Sequence, residues 1–161
     1  MDKPNILYIL ADDLGWGDLS CHGSPIRTPT IDRLAREGIR FTQAYAAAPI
    51  CSPTRAAIMT GKSPARLDMT IWHEGAVRGG SKNKRLLEAK AEANLTLAEV
   101  TLAELFKKQN YFTAHIGKWH LGKAAFYPET QGYDVNIGGT YWGAPATFHW
   151  PYRGPWSKSD P

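Results

Sequence analysis

The order of apolar and polar positions predicts a strand, a helix and a second strand in the first third of the chain. Residues 5–10 read N-I-L-Y-I-L, and a continuous apolar run is typical of a central strand that is covered on both faces. Residues 28–38 have a threonine N-cap candidate, a proline in the first turn and a terminal glycine, which predict a short helix on the sheet. Residues 39–45 partly alternate between apolar and polar positions and predict the next strand.

The same patterns predict a helix over residues 95–109 and a strand over residues 111–116. Thr96 is followed three residues later by Glu99, which is the spacing of a capping box at a helix N-terminus. The W-H-E-G segment that contains His73 is loop-like, and we interpret this histidine as structural rather than as part of a site.

A helix that begins at Cys51 would place a potential nucleophile where an anion can bind. Pro53 suits the first turn because its missing N–H would be unpaired there, and Gly61 suits the helix end. The free N–H groups and the dipole of the N-terminus favour an anion beside Cys51. Arg55 lies one turn further on the same face, and its side chain can lean back over Cys51. From composition alone, a buried thiol or half of a disulfide is the alternative for Cys51.

Two adjacent carboxylates, Asp12 and Asp13, follow the apolar run of residues 5–10. Successive side chains of a strand point to opposite faces, so both can meet one ligand only where the strand has ended. The carboxyl ends of strands are where open α/β sheets bind ligands, and calcium prefers several carboxylate or carbonyl oxygens. A calcium site and a pair of turn-forming aspartates are the two interpretations of these residues.

A second polar segment, G-K-W-H-L-G, follows the strand predicted over residues 111–116. If the extended geometry continues past this strand, Lys118 and His120 project to one side and Trp119 to the other. An ammonium group beside an imidazole suits an anionic substrate and acid–base chemistry. The spacing alone is a weak signal for such a site.

The last part of the chain is rich in aromatic residues, which are interleaved with glycine and proline, so regular helix is not expected there. Aromatic rings at the mouth of a pocket could pack on sugar faces, and the alternative is that they cover the edges of the core. The residues concerned are Tyr127, Tyr133, Tyr141, Trp142, Phe148, Trp150, Tyr152 and Trp156.

Composition narrows the class of protein. The 161 residues are 43% hydrophobic and are enough for a core of one domain's size. A net charge of +4 is too small to indicate nucleic-acid binding, although it would not repel a sulfated polyanion. Two cysteines give no disulfide framework. There is no apolar run that could span a bilayer and no signal segment, so the localisation stays open between a cytosolic protein and one whose leader is missing.

Two motifs resemble those of a known family. The segment C-S-P-T-R-A-A-I-M-T-G, which starts at Cys51, resembles the signature of the formylglycine-dependent (type I) sulfatases, C-x-P-S/T/A-R followed by T-G. Residues 111–122 resemble the second signature, G-Y-x-T-A-x-x-G-K-W-H-L-G, with Asn110 in place of its first glycine. Asn110 lies at a predicted helix end, where asparagine also tolerates a left-handed conformation. The cysteine–arginine site of tyrosine phosphatases has five intervening residues, whereas this one has three.

The resemblance implies an alkaline-phosphatase-like α/β sandwich with a mixed, mostly parallel sheet between helices, of which residues 1–161 would form the N-terminal part. It implies a sulfuric ester hydrolase, as in the arylsulfatases. A maturation enzyme would convert Cys51 to formylglycine, whose hydrate attacks sulfur, expels the alcohol and then releases sulfate. Asp12 and Asp13 would bind calcium together with residue 51.

The resemblance also implies roles for three other side chains. Arg55 would hold the hydrated aldehyde, Lys118 would bind the sulfate, and His120 would contact the formylglycine hydroxyl and assist its deprotonation. The family's later Asp-Asn metal pair, second lysine and leaving-group histidine have no counterpart in the chain, so we expect an incomplete and inactive fragment. A phosphatase or phosphonate hydrolase of the same superfamily and a non-catalytic glycan-binding module are the alternative functions.

Overall fold

The computed structural model describes residues 3–79, 85–86, 89–145 and 147–150. The chain divides into two compact units, Met1–Tyr45 and Ala46–Pro161.

The first unit contains one α-helix, α1 (Pro29–Glu37), which is preceded by two short 3-10 helices, Trp16–Asp18 and Ser20–His22. The helix predicted over 28–38 is therefore confirmed, with Pro29 at its start and Gly38 just after its end. The Asp32 carboxylate accepts hydrogen bonds from the Ser20 hydroxyl and the Cys21 backbone N–H at 2.5 and 2.9 Å. These bonds connect α1 to the preceding 3-10 helix.

The two strands predicted in the first unit are wrong for this structure. Residues 5–10 and 39–45 form no strand, and Leu7 and Ile9 are 85% and 75% exposed. A strand is stabilised by ladder hydrogen bonds to a neighbour, and none of the described strands pairs with either segment. An apolar run indicates that a segment is suited to burial, but it does not supply the neighbouring strand.

The second unit contains the remaining helices and the only sheet among the described residues. Its two strands are parallel, with Ala114 opposite Val135 and Ile116 opposite Ile137. In chain order its elements are α2 (Cys51–Thr60), α3 (His73–Arg78), α4 (Leu102–Lys108), β1 (Ala114–Ile116), two 3-10 helices (Ala124–Phe126 and Pro128–Gln131) and β2 (Val135–Ile137).

Helix α2 has the bounds that its end signals predicted. Cys51 is its first residue, and the N-cap, Ile50, has extended backbone. The helix ends at Gly61, whose φ of 67° is left-handed and whose N–H donates to the Ala57 carbonyl. A glycine adopts this conformation without the steric cost that a Cβ would add.

Two expectations for the other helices are corrected. The segment around His73 is helical rather than loop-like, because α3 starts at this residue. Helix α4 starts at Leu102, seven residues later than predicted. The capping box is formed by Thr101 and Glu104, while Thr96 is exposed and directly precedes a turn.

The segment after β1 does not continue the extended geometry of the strand. Strand β1 covers only the last three of the six residues predicted, and Gly117 and His120 have positive φ values of 97° and 59°. Asn110 also has the predicted left-handed conformation, with φ of 60°. Trp119 is 1% exposed, and its indole N–H donates to the Phe126 carbonyl. The core of the unit consists of Ala56, Leu67, Met69, Leu95, Trp119 and Leu121.

Candidate active site

The N-terminal half of α2 is hydrogen-bonded directly to residues 117–122. The Arg55 Nη1 donates to the Lys118 carbonyl at 2.5 Å, across 63 residues of sequence. The Ser52 hydroxyl donates to the His120 carbonyl at 2.8 Å, across 68 residues. Both signature segments therefore meet in one place, as expected if they serve a single site.

The predicted nucleophile, Cys51, is a half-buried free thiol at the start of α2. Arg55 is 8% exposed, and Lys118 is half-buried. Cys21 is also a free thiol, so the disulfide alternative for Cys51 is not observed.

The predicted metal ligands Asp12 and Asp13 belong to the first unit, where both are exposed. Asp13 has a left-handed backbone, with φ of 55°. Two carboxylates are hard oxygen donors and fit calcium, whereas a thiolate is a soft ligand. Cys51 therefore fits a calcium site only after its conversion to an oxygen-bearing side chain.

Sequence reasoning missed the residue that contacts the His120 side chain. The Nε2 atom of His120 lies 2.6 Å from Oε2 of Glu74, in the first turn of α3. His120 is 3% exposed, and the Glu74 side chain is 25% exposed. Glu74 lies outside both signature segments. The only feature of the sequence that could have pointed to it is its position next to His73.

His73 itself lies beside the predicted site residues. Its backbone N–H donates to the Ser52 hydroxyl at 3.1 Å, and its Nδ1 donates to the Ala93 carbonyl at 2.6 Å. The ring centroids of His73 and His120 are 6.4 Å apart, with an edge-on arrangement. The tertiary structure thus places His73 next to the residues that the sequence analysis assigned to the site.

The charges of the Glu74–His120 pair follow from their surroundings. Burial lowers the pKa of His120, although the Glu74 carboxylate works in the opposite direction. Burial is the largest single influence on the pKa of Glu74 and raises it, but the hydrogen bond from His120, a backbone hydrogen bond and the charges of His120 and His73 together lower this pKa. At neutral pH these directions favour a neutral imidazole that donates to an ionised carboxylate.

The aromatic residues differ in burial, and the covering of core edges is confirmed for two of them. Tyr127 and Tyr133 pack against the core. Trp142, Phe148 and Trp150 are 40%, 73% and 83% exposed. The Tyr141 ring lies 6.0 Å from the His73 ring and 5.5 Å from the Trp142 ring, so Tyr141 contacts both rings. Tyr152 and Trp156 lie outside the described residues.

Membrane spanning was tested on the described part of the chain alone. None of the helices there combines the length and the apolar character that crossing a bilayer requires.

Comparison with known proteins gives concordant results. The family model named Sulfatase matches residues 4–158. Human steryl-sulfatase is 48% identical over 74% of this chain and 19% of its own length. Human arylsulfatase A is 42% identical over 86% of this chain and 25% of its own length. Human N-acetylgalactosamine-6-sulfatase is 39% identical over 92% of this chain and 27% of its own length.

Solved structures agree with this result. The crystal structure of Ps i-CgsB aligns with a TM-score of 0.67 at 35% identity, over 86% of this chain and 29% of that chain. A second structure of Ps i-CgsB, in complex with k-i-k-neocarrahexaose, aligns with a TM-score of 0.62 at 32% identity, over 80% of this chain and 27% of that chain. The chain spans about a fifth to a quarter of the length of the curated relatives reported above. The predictions of family and fold class are confirmed: the chain belongs to the sulfatase family and has its alkaline-phosphatase-like α/β fold.

Proposed function

We propose that this protein hydrolyses sulfate esters, using calcium and a formylglycine made from Cys51, and that the chain supplies the N-terminal part of its catalytic domain. The observation that carries the proposal is the pair of hydrogen bonds that join α2 to the second signature segment. They run from Arg55 to the Lys118 carbonyl and from Ser52 to the His120 carbonyl. Two motifs of the same family in direct contact support one shared site.

Calcium would be held by Asp12 and Asp13 together with an oxygen of residue 51. When bound, the ion would offset negative charge on the sulfuryl oxygens and favour the ionised form of a nearby hydroxyl. The donor set supports this choice, because calcium binds oxygen ligands and carboxylates are prominent among them. Formylglycine at position 51 would supply the nucleophilic hydroxyl.

Three other side chains would stabilise negative charge or transfer a proton, namely those of Arg55, Lys118 and His120. The Arg55 guanidinium is held against the Lys118 backbone, which leaves it fixed beside the start of α2. The Lys118 ammonium would bind a sulfate oxygen, where a fixed cation stabilises the charge that develops in the transition state. The His120 imidazole would accept a proton from a hydroxyl of residue 51.

The substrate class that we propose is a sulfated carbohydrate. Exposed aromatic rings, of which Trp142 adjoins the Tyr141 ring, offer the kind of surface that packs on sugar faces. One relative is named N-acetylgalactosamine-6-sulfatase, and one structural neighbour is in complex with k-i-k-neocarrahexaose. A sterol sulfate is the second candidate, because steryl-sulfatase is 48% identical to the chain.

The test is sulfate release by the full-length protein after co-expression with a formylglycine-generating enzyme. The substrates are a sulfated galactosamine oligosaccharide, a sterol sulfate, an aryl sulfate and the matched aryl phosphate. We expect turnover of the sulfated oligosaccharide, loss of turnover in Cys51→Ala, and loss on calcium chelation with recovery when calcium is restored. Peptide mass spectrometry should detect formylglycine at position 51.

Other results would support the alternative functions. Faster hydrolysis of the aryl phosphate would indicate a phosphatase or phosphonate hydrolase of the same superfamily. An unmodified Cys51 without turnover, combined with retention on a sulfated glycan column, would indicate a non-catalytic binding module. Faster hydrolysis of the sterol sulfate would support sulfate ester hydrolysis but would contradict the proposed carbohydrate substrate.

A further inference from the structure

The contact between Glu74 and His120 constrains which ring nitrogen carries a proton. His120 Nε2 lies 2.6 Å from Glu74 Oε2. An ionised carboxylate only accepts hydrogen bonds, so Nε2 must be the donor. In a neutral imidazole the other nitrogen is then an acceptor, which fixes the role of Nδ1.

The Nδ1 atom of His120 is buried and has no hydrogen-bond partner among the described residues. A buried polar atom without a partner costs free energy, and native structures leave few of them. The position is therefore one that a ligand or a modified side chain would satisfy. His120 is also joined through its carbonyl to Ser52, the residue that follows Cys51.

The ring is held on other sides as well. A Cβ on Gly143 would lie 2.8 Å from the His120 Cε1 and 3.4 Å from the Glu74 Oε1, so the Gly143 backbone closes against both groups. The His120 backbone N–H donates to the Thr140 carbonyl at 2.9 Å. The imidazole consequently has little freedom to turn while Glu74 is in place.

We propose that Glu74 is a positioning residue for His120. It accepts the Nε2 proton and thereby holds the tautomer whose Nδ1 accepts a hydrogen bond from a hydroxyl at the site. The identity of that hydroxyl, on residue 51 or on the substrate, rests on the proposed sulfatase function. The tautomer itself does not depend on that function.

The direct test is nitrogen NMR of the full-length protein labelled with ¹⁵N-histidine. The chain described has five histidines, and the His120 signal is assigned by its loss in His120→Gln. We expect a single Nε2–H tautomer in the wild type. In Glu74→Ala we expect a mixture of tautomers, whereas Glu74→Gln keeps an acceptor oxygen and should retain the Nε2–H form.

The control is Glu99→Gln, which removes a partly buried ion pair with Lys62 and should leave the His120 signal unchanged. An Nδ1–H tautomer in the wild type would overturn the proposal even if Glu74→Ala did not fold. A folded Glu74→Ala with an unchanged tautomer, judged by its near-UV circular dichroism, would do the same.

Kinetics give a second measurement once the protein is matured. We expect Glu74→Ala to lower kcat by about 10- to 100-fold with little change in KM, by analogy with the hydrogen-bond partners of metal-ligating histidines, whose loss has an effect of that size. Glu74→Gln should recover part of this loss. Wild-type kcat in Glu74→Ala would contradict the role of Glu74 in the reaction. If the wild type has no sulfatase activity, the proposed function fails, while the NMR experiment still decides the tautomer.

Discussion

At the scale of single residues, Ser52 connects three segments of the second unit. Its hydroxyl accepts from the His73 N–H and donates to the His120 carbonyl, and the residue is 0% exposed. Both partners are backbone groups, so one buried hydroxyl satisfies a donor and an acceptor at once. Ser52, a residue of helix α2, therefore also helps to hold the two signature segments together.

In the proposed reaction, the Lys118 ammonium binds a sulfate oxygen of the substrate. Replacing it with alanine should lower kcat/KM by roughly 100- to 1000-fold, because a fixed cation that stabilises transition-state charge typically contributes that factor. Initial rates of sulfate release by the matured protein measure this effect. Lys123→Ala is the matched control, since Lys123 is exposed and lies five positions further on. Turnover near that of the wild type in Lys118→Ala would remove Lys118 from the site.

At the scale of elements, helix α4 shows how tertiary contacts choose between identical local signals. The sequence T-L-A-E occurs at 96–99 and again at 101–104, but only the second copy starts a helix. Thr101 is 0% exposed, and its hydroxyl also donates to the Gln131 carbonyl at 2.6 Å. Thr96 is exposed and has no such contact among the described residues. The helix was predicted to start too early because the sequence does not show that only Thr101 contacts Gln131.

The two threonines provide a matched pair of variants. Thr101→Ala should lower the free energy of unfolding by about 1 to 3 kcal/mol, because it removes an N-cap and leaves a buried carbonyl unpaired. Thr96→Ala should change it by less than about 0.5 kcal/mol, as is usual for exposed positions. Urea unfolding of both variants gives the comparison. Equal effects would show that the first copy of the motif also acts as a cap.

The Asp134 carboxylate contacts the residue before β1 and a lysine of helix α4. Asp134 accepts hydrogen bonds from the Thr113 N–H at 2.9 Å and from its hydroxyl at 3.0 Å, and it pairs with Lys107 at 2.6 Å. The Lys107 ammonium and the Thr113 donors lower the pKa of Asp134 from 3.8 to about 2. Residues 113 and 134 directly precede β1 and β2, so this carboxylate connects the two strands where they begin.

This shift predicts how stability changes with pH. Folding lowers the pKa of Asp134, so the carboxylate stabilises the folded state above pH 3.8 and the contribution is lost as pH falls toward about 2. The Tm of Asp134→Asn should therefore lie below that of the wild type at neutral pH. The difference should narrow as the pH falls through this range. Thermal melts at several pH values measure it, and a difference that does not vary with pH would contradict the assignment.

At the scale of the whole molecule, the fold predictions succeeded where the signal was the backbone conformation of a single residue at a helix end. Helix α2 ends at Gly61 as predicted, and Asn110 has its left-handed backbone. The prediction of a strand over residues 5–10 was wrong. An apolar run favours burial, but a strand also needs a neighbouring segment with which it forms backbone hydrogen bonds. Strand β2 lies in the aromatic part of the chain, where the sequence pattern argues against regular helix but does not predict a strand.

The sequence alone determined the family and its candidate site residues. Two long motifs that begin near Cys51 and Tyr111 carried that prediction, because the order of residues within a motif is itself the signal. Only the tertiary structure revealed Glu74 as the partner of His120 and Ser52 as the link between the motifs. Glu74 and His120 are 46 residues apart, and their contact depends on the path of the chain between them. The left-handed backbone of a glycine or an asparagine at a helix end is a property of that residue, whereas such contacts depend on the packing of distant segments.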